Sequence, residues 1–314
     1  MIELQRVSKS YGAAPVIDDL SLTIAEGEFV VLIGASGSGK STTLRLLNRL
    51  VEPDSGEIRF KGQPVRSLQA EALRRRMGYV IQSTGLFPHW TVAQNIATVP
   101  RLLNWPRARI ATRVAELLSL LGLPPEQFSQ RMPRELSGGQ QQRVGVARAL
   151  AADPDVLLMD EPFGALDPVT RASLQTELAR IHRLSGKTIV LVTHDMAEAL
   201  RLATRIVMLD HGRVLQIGTP TEFLTRPADD RVADFVGRAE AGIQLLGLRR
   251  VGDIVRSGER VGEAQGQPIG ADASLREALS LFITRRVDCL AVVDAQGQAL
   301  GAIHFHDLLG DIPQ

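Results

Sequence analysis

Three continuous apolar runs, each bounded by polar or turn residues, limit the folds open to this chain of 314 residues. The runs are EFVVLIG at 28–34, DVLLMD at 155–160 and KTIVLVTH at 187–194. Because their apolar residues do not alternate with polar ones, they predict strands buried on both faces, as in a parallel sheet. Helical periodicity fills the intervals, for example at Val114, Leu117, Leu118 and Leu121. Strands that alternate with helices predict a layered α/β core.

Two other segments have a hairpin pattern. GEIRFKGQPV at 56–65 and RIVMLDHGRVLQIG at 205–218 place turn residues between short apolar stretches, which predicts a partly antiparallel sheet beside the parallel one.

From 222 to 243 the sequence becomes polar and helical, and we place a domain boundary at residue 238. The remainder, 239–314, is expected to be a linker followed by a small α/β unit with the order helix, strand, turn, strand, helix.

Composition excludes several classes of partner. The formal net charge of +1 gives no general reason to expect nucleic acid or an anionic membrane surface. Cys289 is the single cysteine, so no disulfide forms within the chain and a reducing compartment fits. The first twelve residues lack the apolar core of a secretory signal. No apolar run approaches the roughly 20 residues of a membrane-spanning helix, so we expect any membrane role to depend on a partner.

The segment GASGSGKS at 34–41 fits the pattern G-x-x-x-x-G-K-[ST] between a buried strand and a helix, the context of a phosphate-binding P-loop. Its glycines let backbone N–H groups point inward, and the positive end of the next helix adds to that field. A merely flexible Gly/Ser loop is the alternative. A dinucleotide-binding loop does not fit, because its third glycine position is Thr42. We expect the loop to bind nucleotide phosphates through Gly34, Ala35, Ser36, Gly37, Ser38, Gly39, Lys40, Ser41 and Thr42.

Acidic residues follow the second apolar run. Lys40 is expected to reach the β- and γ-phosphates, and Ser41 to bind Mg²⁺ together with Asp160 at the end of the strand VLLMD. Glu161 follows directly and is the candidate base that polarises the attacking water. An isolated Asp-Glu pair after a strand is more often a solvated loop, but a P-loop requires such a partner. No N-K-x-D guanine-binding motif occurs in the sequence, which weighs against a GTPase.

A second glycine turn, Ser137-Gly138-Gly139 in LSGGQ, precedes a helix expected to start near Gln140. Ser137 can cap that helix and donate to a phosphate, while the glycines allow a ligand close to the backbone. An ordinary capped helix is the alternative. Since the P-loop already surrounds its phosphate, we predict a two-fold dimer in which this turn covers the γ-phosphate held by the other copy.

In the order of its motifs the sequence resembles the ATP-binding cassette (ABC) ATPase family over residues 1 to about 235. The motifs are Tyr11, GASGSGKS, Gln82 in YVIQSTG, LSGGQ at 136–140, VLLMDE, ALD at 165–167 and His194 in VTHD. The resemblance implies a P-loop NTPase core with a mixed or parallel sheet, an antiparallel β subdomain and a helical subdomain. It also implies that ATP and Mg²⁺ are bound and that ATP is hydrolysed.

The resemblance assigns further roles to single residues. Tyr11 would stack on adenine, and Gln82 would contact Mg²⁺ and the attacking water. Asp167 would lie at the dimer seam among the nucleotide-binding residues, and His194 would hydrogen-bond the γ-phosphate. Gln140 would bind nucleotide together with Ser137, Gly138 and Gly139, and we call these three residues the signature turn.

Longer matching stretches, such as MGYVIQSTGLFPHWTVAQNI at 77–96, resemble the ATPases of quaternary-amine osmoprotectant importers of the glycine betaine, choline and carnitine class. The resemblance implies transmembrane permease partners, an indirect solute-binding protein, and a peripheral position on the cytoplasmic face of the membrane. Leu86, Phe87, Trp90 and Val92 are either the core of a helical subdomain or a groove for a short helix of a membrane subunit. Alternatives are an importer of another solute such as an amino acid, a soluble ABC ATPase acting on a macromolecule, and a regulatory nucleotide-binding module.

The C-terminal segment 250–309 resembles a single CBS (cystathionine-β-synthase-type) domain. Such domains usually work in pairs, and the single copy implies pairing between subunits. Asp307 stands at the position expected to bind ribose hydroxyls, whereas His304 replaces the Ser/Thr expected near a phosphate. We therefore favour a dimerisation or regulatory module over a nucleotide sensor.

Overall fold

The computed structural model describes residues 1–12, 14–83, 85–257 and 267–309. It divides the chain into two compact units, Met1–Ile217 and Gly218–Gln314. The predicted boundary at residue 238 falls twenty-one residues after the first unit ends (238 − 217 = 21) and stays a prediction. Parts of the predicted second domain, 258–266 and 310–314, lie outside the described residues.

The first ten strands of the chain build two sheets. They are β1 (Ile2–Tyr11), β2 (Ala14–Ile24), β3 (Phe29–Ile33), β4 (Ser55–Phe60), β5 (Gln63–Pro64), β6 (Met77–Val80), β7 (Val156–Asp160), β8 (Thr188–Val192), β9 (Arg205–Asp210) and β10 (Arg213–Gly218). A six-stranded sheet has the order β10-β9-β3-β8-β7-β6, and its pairs from β9 to β6 are parallel. Every residue of β3, β7 and β8 is buried, so the prediction from the three apolar runs is confirmed.

A second, antiparallel sheet has the order β2-β1-β4-β5. Both hairpin patterns are confirmed: one forms β4 and β5, and the other forms β9 and β10, which are neighbours at the edge of the main sheet. One hydrophobic core joins the two sheets, because Leu4 and Phe60 of the antiparallel sheet belong to the same buried cluster as Leu44, Leu158 and Val190.

The helices of the first unit cover the main sheet and form a helical subdomain. They are α1 (Lys40–Leu47), α2 (Ala70–Arg75), α3 (Val92–Ile96), α4 (Thr98–Leu102), α5 (Arg107–Leu120), α6 (Pro125–Phe128), α7 (Gly138–Leu150), α8 (Pro168–Ser185) and α9 (Met196–Leu202). The helices α3, α5, α6 and α7 pack on one another, and α1 packs on β7 and β8. The periodic residues of α5, Val114, Leu117 and Leu118, are buried as expected.

The second unit begins with three helices and continues into a small sheet. Its elements are α10 (Pro220–Thr225), α11 (Asp230–Val236), α12 (Ala241–Leu248), β11 (Arg256–Ser257), β12 (Ile269–Gly270), α13 (Leu275–Arg285), β13 (Cys289–Val293) and β14 (Ala299–His304). The sheet order is β11-β14-β13-β12, and Leu275 and Phe282 of α13 pack with Leu290 and Ile303. The predicted closing helix is instead a 3₁₀ segment over Phe305–Leu309, because Asp307 folds back to accept a hydrogen bond from the N–H of His304 at 2.8 Å.

Within the described residues, none of the helices combines the length and hydropathy needed to cross a bilayer.

Candidate functional site: a phosphate-binding cleft

The loop between β3 and α1 has the backbone that its glycines predict. Gly34, Gly37 and Gly39 have φ values of 143°, 80° and 100°, in the region that L-residues avoid. A Cβ atom on Gly34 would lie 2.1 Å from the carbonyl oxygen of Leu209, and one on Gly39 would lie 2.6 Å from that of Val16. The loop is therefore fixed by contacts with neighbouring backbone as well as by its own turns, and α1 begins at Lys40 directly after it.

Lys40 points its ammonium group into this loop. The side chain is buried, and Nζ donates to the carbonyl oxygens of Gly34 at 2.8 Å and Ala35 at 2.7 Å. Burial lowers the pKa of Lys40, and the negative charges of Glu161 and Asp160 oppose that shift. A charged donor held by two carbonyl oxygens can exchange them for phosphate oxygens, which are stronger acceptors.

Ser41 and Asp160 meet where α1 begins and β7 ends. Ser41 Oγ donates to Asp160 Oδ1 at 2.8 Å. Burial raises the pKa of Asp160, and this hydrogen bond works against the shift. A hydroxyl and a carboxylate are hard oxygen ligands that suit Mg²⁺, which usually takes one or two carboxylates together with phosphate oxygens and water. Within the described ranges, no group of three or more His, Cys, Asp or Glu side chains could hold a metal ion by itself.

Glu161 lies between two other predicted site residues. Its Oε2 accepts from Gln82 Nε2 at 3.2 Å, and its Oε1 is 3.4 Å from His194 Nδ1. These three side chains follow β7, β6 and β8, which are adjacent and parallel and therefore end at the same edge of the sheet. The backbone of Glu161 has a φ of 45°, which turns the chain sharply out of β7 and directs the carboxylate toward both neighbours.

Lys40, Ser41, Gln82, Glu161 and His194 share one cleft of about 480 Å³. Four other predicted site residues do not line it: Gly34, Ala35, Ser38 and Asp160. It is lined by Val16, Ser36, Gly37, Gly39, Lys40, Ser41, Thr42, Gln82, Glu161 and His194. Val16, a residue of β2, is not predictable from the sequence as a site residue, because its apolar side chain carries no signal for a site. Its place comes from the antiparallel sheet, which brings the Val16 carbonyl close to Gly39 and Gly212.

The signature turn is placed outside that lining. Ser137 caps α7 by accepting from the N–H of Gln140 at 3.3 Å, and the Gln140 side chain accepts from the N–H of Ser137 at 3.0 Å. The helix begins at Gly138, two residues before the predicted start near Gln140, because this reciprocal cap holds Gly138 and Gly139 in the first turn. Ser137 and Gly138 are exposed.

Tyr11 and Asp167 also lie outside the lining of the cleft. Tyr11 ends β1 and is 53% exposed, with Lys9 Nζ 5.7 Å from its ring centroid. Asp167 caps α8 by accepting from the N–H groups of Val169 at 3.1 Å and Thr170 at 3.0 Å. Neither residue lines the cleft of its own chain.

The apolar segment after Gln82 is split between surface and core. Phe87 and Trp90 are 44% and 37% exposed, and their ring centroids lie 4.5 Å apart. Val92 is fully buried, so it belongs to the helical subdomain and not to an exposed patch. Asn95, also fully buried, accepts from the N–H of Phe87 at 2.7 Å and donates to the carbonyl oxygen of Trp90 at 3.1 Å. The buried Asn95 side chain therefore bridges the backbone of the two residues that carry the exposed aromatic pair.

In the second unit, Asp307 is engaged within its own chain. It accepts hydrogen bonds from the N–H of His304 and from Arg256. The rings of His304 and His306 stack at 5.4 Å between centroids.

A buried strand that leads through a glycine loop into a helix, with Ser41 and Asp160 in contact and Glu161 beside them, defines a P-loop nucleoside triphosphatase. Comparison with known proteins places this one more narrowly. Residues 17–164 match the family described as ABC transporter, and residues 267–313 match the CBS domain.

Several named proteins are similar over almost the whole chain. The glycine betaine uptake system ATP-binding protein YehX of Escherichia coli (strain K12) is 62% identical over 98% of this chain and 99% of its own length. The glycine betaine/carnitine/choline transport ATP-binding protein OpuCA of Bacillus subtilis (strain 168) is 47% identical over 96% of this chain and 78% of its own. The chain therefore belongs to the ABC transporter family as an ATP-binding subunit, and it is an ATPase with a CBS domain.

Solved structures support the same fold. An ATP-binding cassette in a dimeric post-hydrolysis state with ADP and Pi is 35% identical and has a TM-score of 0.64, covering 70% of this chain and 99% of that chain. The cassette cbiO1 of Clostridium perfringens is 26% identical with a TM-score of 0.67, covering 78% of this chain and 98% of that chain. The predicted fold class is confirmed.

Proposed function

We propose that this chain hydrolyses ATP to drive uptake of a quaternary-amine osmoprotectant of the glycine betaine, choline or carnitine class through membrane subunits. The observation that carries the proposal is the set of relatives that match almost the whole of this chain: the one at 62% identity is named for glycine betaine uptake, and another at 48% identity is named for choline transport. The solute itself would be bound by other subunits. An aromatic cage for a quaternary ammonium is expected on a separate solute-binding protein.

The cleft supplies the groups that hydrolysis requires. Lys40 would bind the β- and γ-phosphates, and Ser41, Asp160 and Gln82 would hold Mg²⁺, which when bound neutralises phosphate charge. Glu161 would polarise the attacking water, since its carboxylate already lies within 3.4 Å of both neighbouring side chains. His194 would donate to the γ-phosphate, and Tyr11 would stack on adenine at the exposed end of β1.

Two copies would complete each site. Ser137 and Gly138 are exposed and do not line their own cleft, yet a capped helix start of this kind is suited to binding an anion. In the proposed dimer, each signature turn covers the nucleotide held by the other copy, with Asp167 at the seam. Related cassettes have been solved as dimers, one of them with ADP and Pi bound.

Substitution of Gly138 tests this geometry. A Cβ atom on Gly138 would have no atom within 4 Å in its own chain, whereas one on Gly139 would lie 2.3 Å from Thr170 Cγ2. Gly138→Ala should therefore leave the thermal unfolding midpoint unchanged or slightly raised, because Ala is favoured over Gly in a helix by about 1 kcal/mol. ATP turnover should fall about 100-fold, because the methyl group would displace the partner's γ-phosphate.

Gly242→Ala is the matched control, since Gly242 also lies in the first turn of a helix, α12, with open space at its Cβ position. Its turnover should equal that of the wild type. Normal turnover in Gly138→Ala, measured per chain across a dilution series, would rule out the covering role of the signature turn.

Membrane subunits are proposed to dock at the exposed pair Phe87 and Trp90. The pair is apolar, is hydrogen-bonded through its backbone to Asn95, and follows Gln82 by a few residues. A movement of Gln82 on nucleotide binding would therefore be carried to the docked subunit. A short helix with an apolar face fits such a surface. This docking would hold the chain at the cytoplasmic face of the membrane.

Transport by a reconstituted complex tests the substrate class. Proteoliposomes that contain the chain and its co-purifying membrane and binding subunits should accumulate labelled glycine betaine, choline or carnitine when ATP is supplied. A complex carrying Glu161→Gln should not, and this variant is the control for passive leakage. Uptake of histidine with none of the three amines would contradict the substrate class, and recovery of no membrane protein would favour a soluble ABC ATPase.

The CBS unit is proposed to be a dimerisation or regulatory module. Asp307 is already bonded by the N–H of His304 and by Arg256, so ribose hydroxyls would have to compete with charged and backbone donors. This supports pairing between subunits over nucleotide sensing.

A further inference from the structure

Arg171 is a cation at the start of α8 that faces two loops of the ATP site. It lies one turn after Asp167, and its Nη2 donates to the carbonyl oxygen of Leu166 at 3.2 Å. On the other side, Nη1 is 3.7 Å from Asp195 Oδ2 and Nε is 4.0 Å from Glu198 Oε1. One guanidinium thus connects the loop that carries Asp167 with the segment that carries His194.

The Asp167 side of this connection is the capped start of α8. Asp167 caps α8, and its carbonyl oxygen accepts from the N–H of Arg171 at 2.9 Å. Because Asp167 is hydrogen-bonded to the backbone of this first turn, a displacement of Asp167 would also shift the backbone of Arg171. A cation in the first turn is disfavoured by the helix dipole, and the two nearby carboxylates offset that cost.

The His194 side is a buried polar cluster. Glu198 is 5% exposed and accepts from Thr193 Oγ1 at 2.6 Å and from Gln175 Nε2 at 3.2 Å. Asp195 caps α9 and donates its own N–H to Thr193 Oγ1 at 3.1 Å. Burial, with a smaller contribution from the charge of Asp195, raises the pKa of Glu198 although Thr193 donates to it. His194 lies between two residues of this cluster, so the cluster sets the backbone from which His194 extends.

The ion pair between these two sides is incompletely formed. Arg171 Nε is buried and makes no hydrogen bond within the part of the chain that the structure describes, although Glu198 Oε1 lies only 4.0 Å away. A buried donor without an acceptor is costly, so a small shift that brings Nε onto Glu198 would be favourable. Arg171 is therefore hydrogen-bonded to Leu166 through Nη2, while its Nε lies just beyond hydrogen-bond distance of Glu198.

We propose that Arg171 and Glu198 are positioning residues that transmit the displacement of Asp167 by the second copy to His194. The proposal rests on the proposed function, because it takes His194 as the γ-phosphate donor and Asp167 as a seam residue. It adds a route within one chain by which assembly of the dimer places the catalytic groups.

The test is a double-mutant cycle on the full chain, measuring steady-state ATP hydrolysis. Arg171→Gln and Glu198→Gln should each lower kcat about tenfold and leave KM for ATP within about twofold, because the phosphate-binding loop is untouched. The double variant should be no slower than either single one, since both changes remove the same connection. Arg171→Lys, which keeps the charge, should recover most of the lost kcat.

Arg180→Gln is the matched control, because Arg180 pairs with Glu177 on the exposed part of the same helix. Its kcat should be unchanged, and thermal unfolding would verify that all variants fold. Multiplied effects in the double variant, or a kcat within about twofold of wild type in both singles, would overturn the connection. An error in the role that the proposed function gives to His194 would show separately as normal hydrolysis in His194→Ala, and an error in the substrate class would show only in the transport assay.

Discussion

Glu161→Gln is expected to lower ATP turnover by about 10³-fold while nucleotide binding persists. The substitution keeps the size of the side chain and one acceptor oxygen. The side chain can therefore stay between Gln82, now at 3.2 Å, and His194, now at 3.4 Å. What disappears is the carboxylate that would polarise the attacking water. Single-turnover hydrolysis and equilibrium ATP binding, measured on the same preparation, separate the two effects.

The variant should also accumulate as an ATP-bound dimer, because hydrolysis is the step proposed to reopen it. After size-exclusion chromatography with ATP and Mg²⁺, the dimer of the variant should retain ATP, whereas the wild type should have converted its bound ATP to ADP and released it. Glu116→Gln, an exposed glutamate on α5 that pairs with Arg113, is the control and should behave as wild type. Turnover at the wild-type rate in Glu161→Gln would show that another group acts as the base.

Lys40→Ala is expected to weaken ATP binding itself by about 100-fold, the loss of a charge-assisted contact with the phosphates. The ammonium group also donates to the carbonyl oxygens of Gly34 and Ala35. Its removal therefore deletes a ligand of the phosphates and a support of the loop. Calorimetric titration with a non-hydrolysable ATP analogue measures the affinity directly.

Lys61→Ala serves as the control, because Lys61 pairs with Asp155 at 2.7 Å in a half-exposed position outside the cleft. Exposed pairs of this kind contribute about 1 kcal/mol or less to stability, so its ATP affinity should not change. A Lys40→Ala chain that binds the analogue as tightly as wild type would refute the assignment of the phosphate site.

The phosphate loop and the main sheet were predictable from the sequence because both are local features. Glycines at 34, 37 and 39, between a buried strand and a helix, predict a loop with positive φ angles. The structure has positive φ at all three glycines. Ser137 before a helical segment likewise predicts an N-cap, and the structure has it there. The start of the helix was misplaced by two residues, because glycines in a first turn oppose the ordinary helix preference while the reciprocal cap with Gln140 overrides it.

Contacts between distant segments were not predictable in this way. The sequence does not show that Val16 lines the cleft, that Val92 is core while Phe87 and Trp90 are exposed, or that Asp307 is bonded to Arg256. Each depends on how strands and helices far apart in the chain pack, and side chains of one chemical type are divided between core and surface by that packing alone.

The sequence by itself determined that this chain holds a triphosphate, because the loop, its lysine and the acidic strand end are set by residue type and spacing. Only the tertiary structure decided that Glu161 lies between Gln82 and His194, since that meeting requires three parallel strands to end at one edge. It alone also placed Arg171 within 4.0 Å of Glu198, because twenty-seven positions of chain (198 − 171 = 27) are brought together by the packing of α8 against α9.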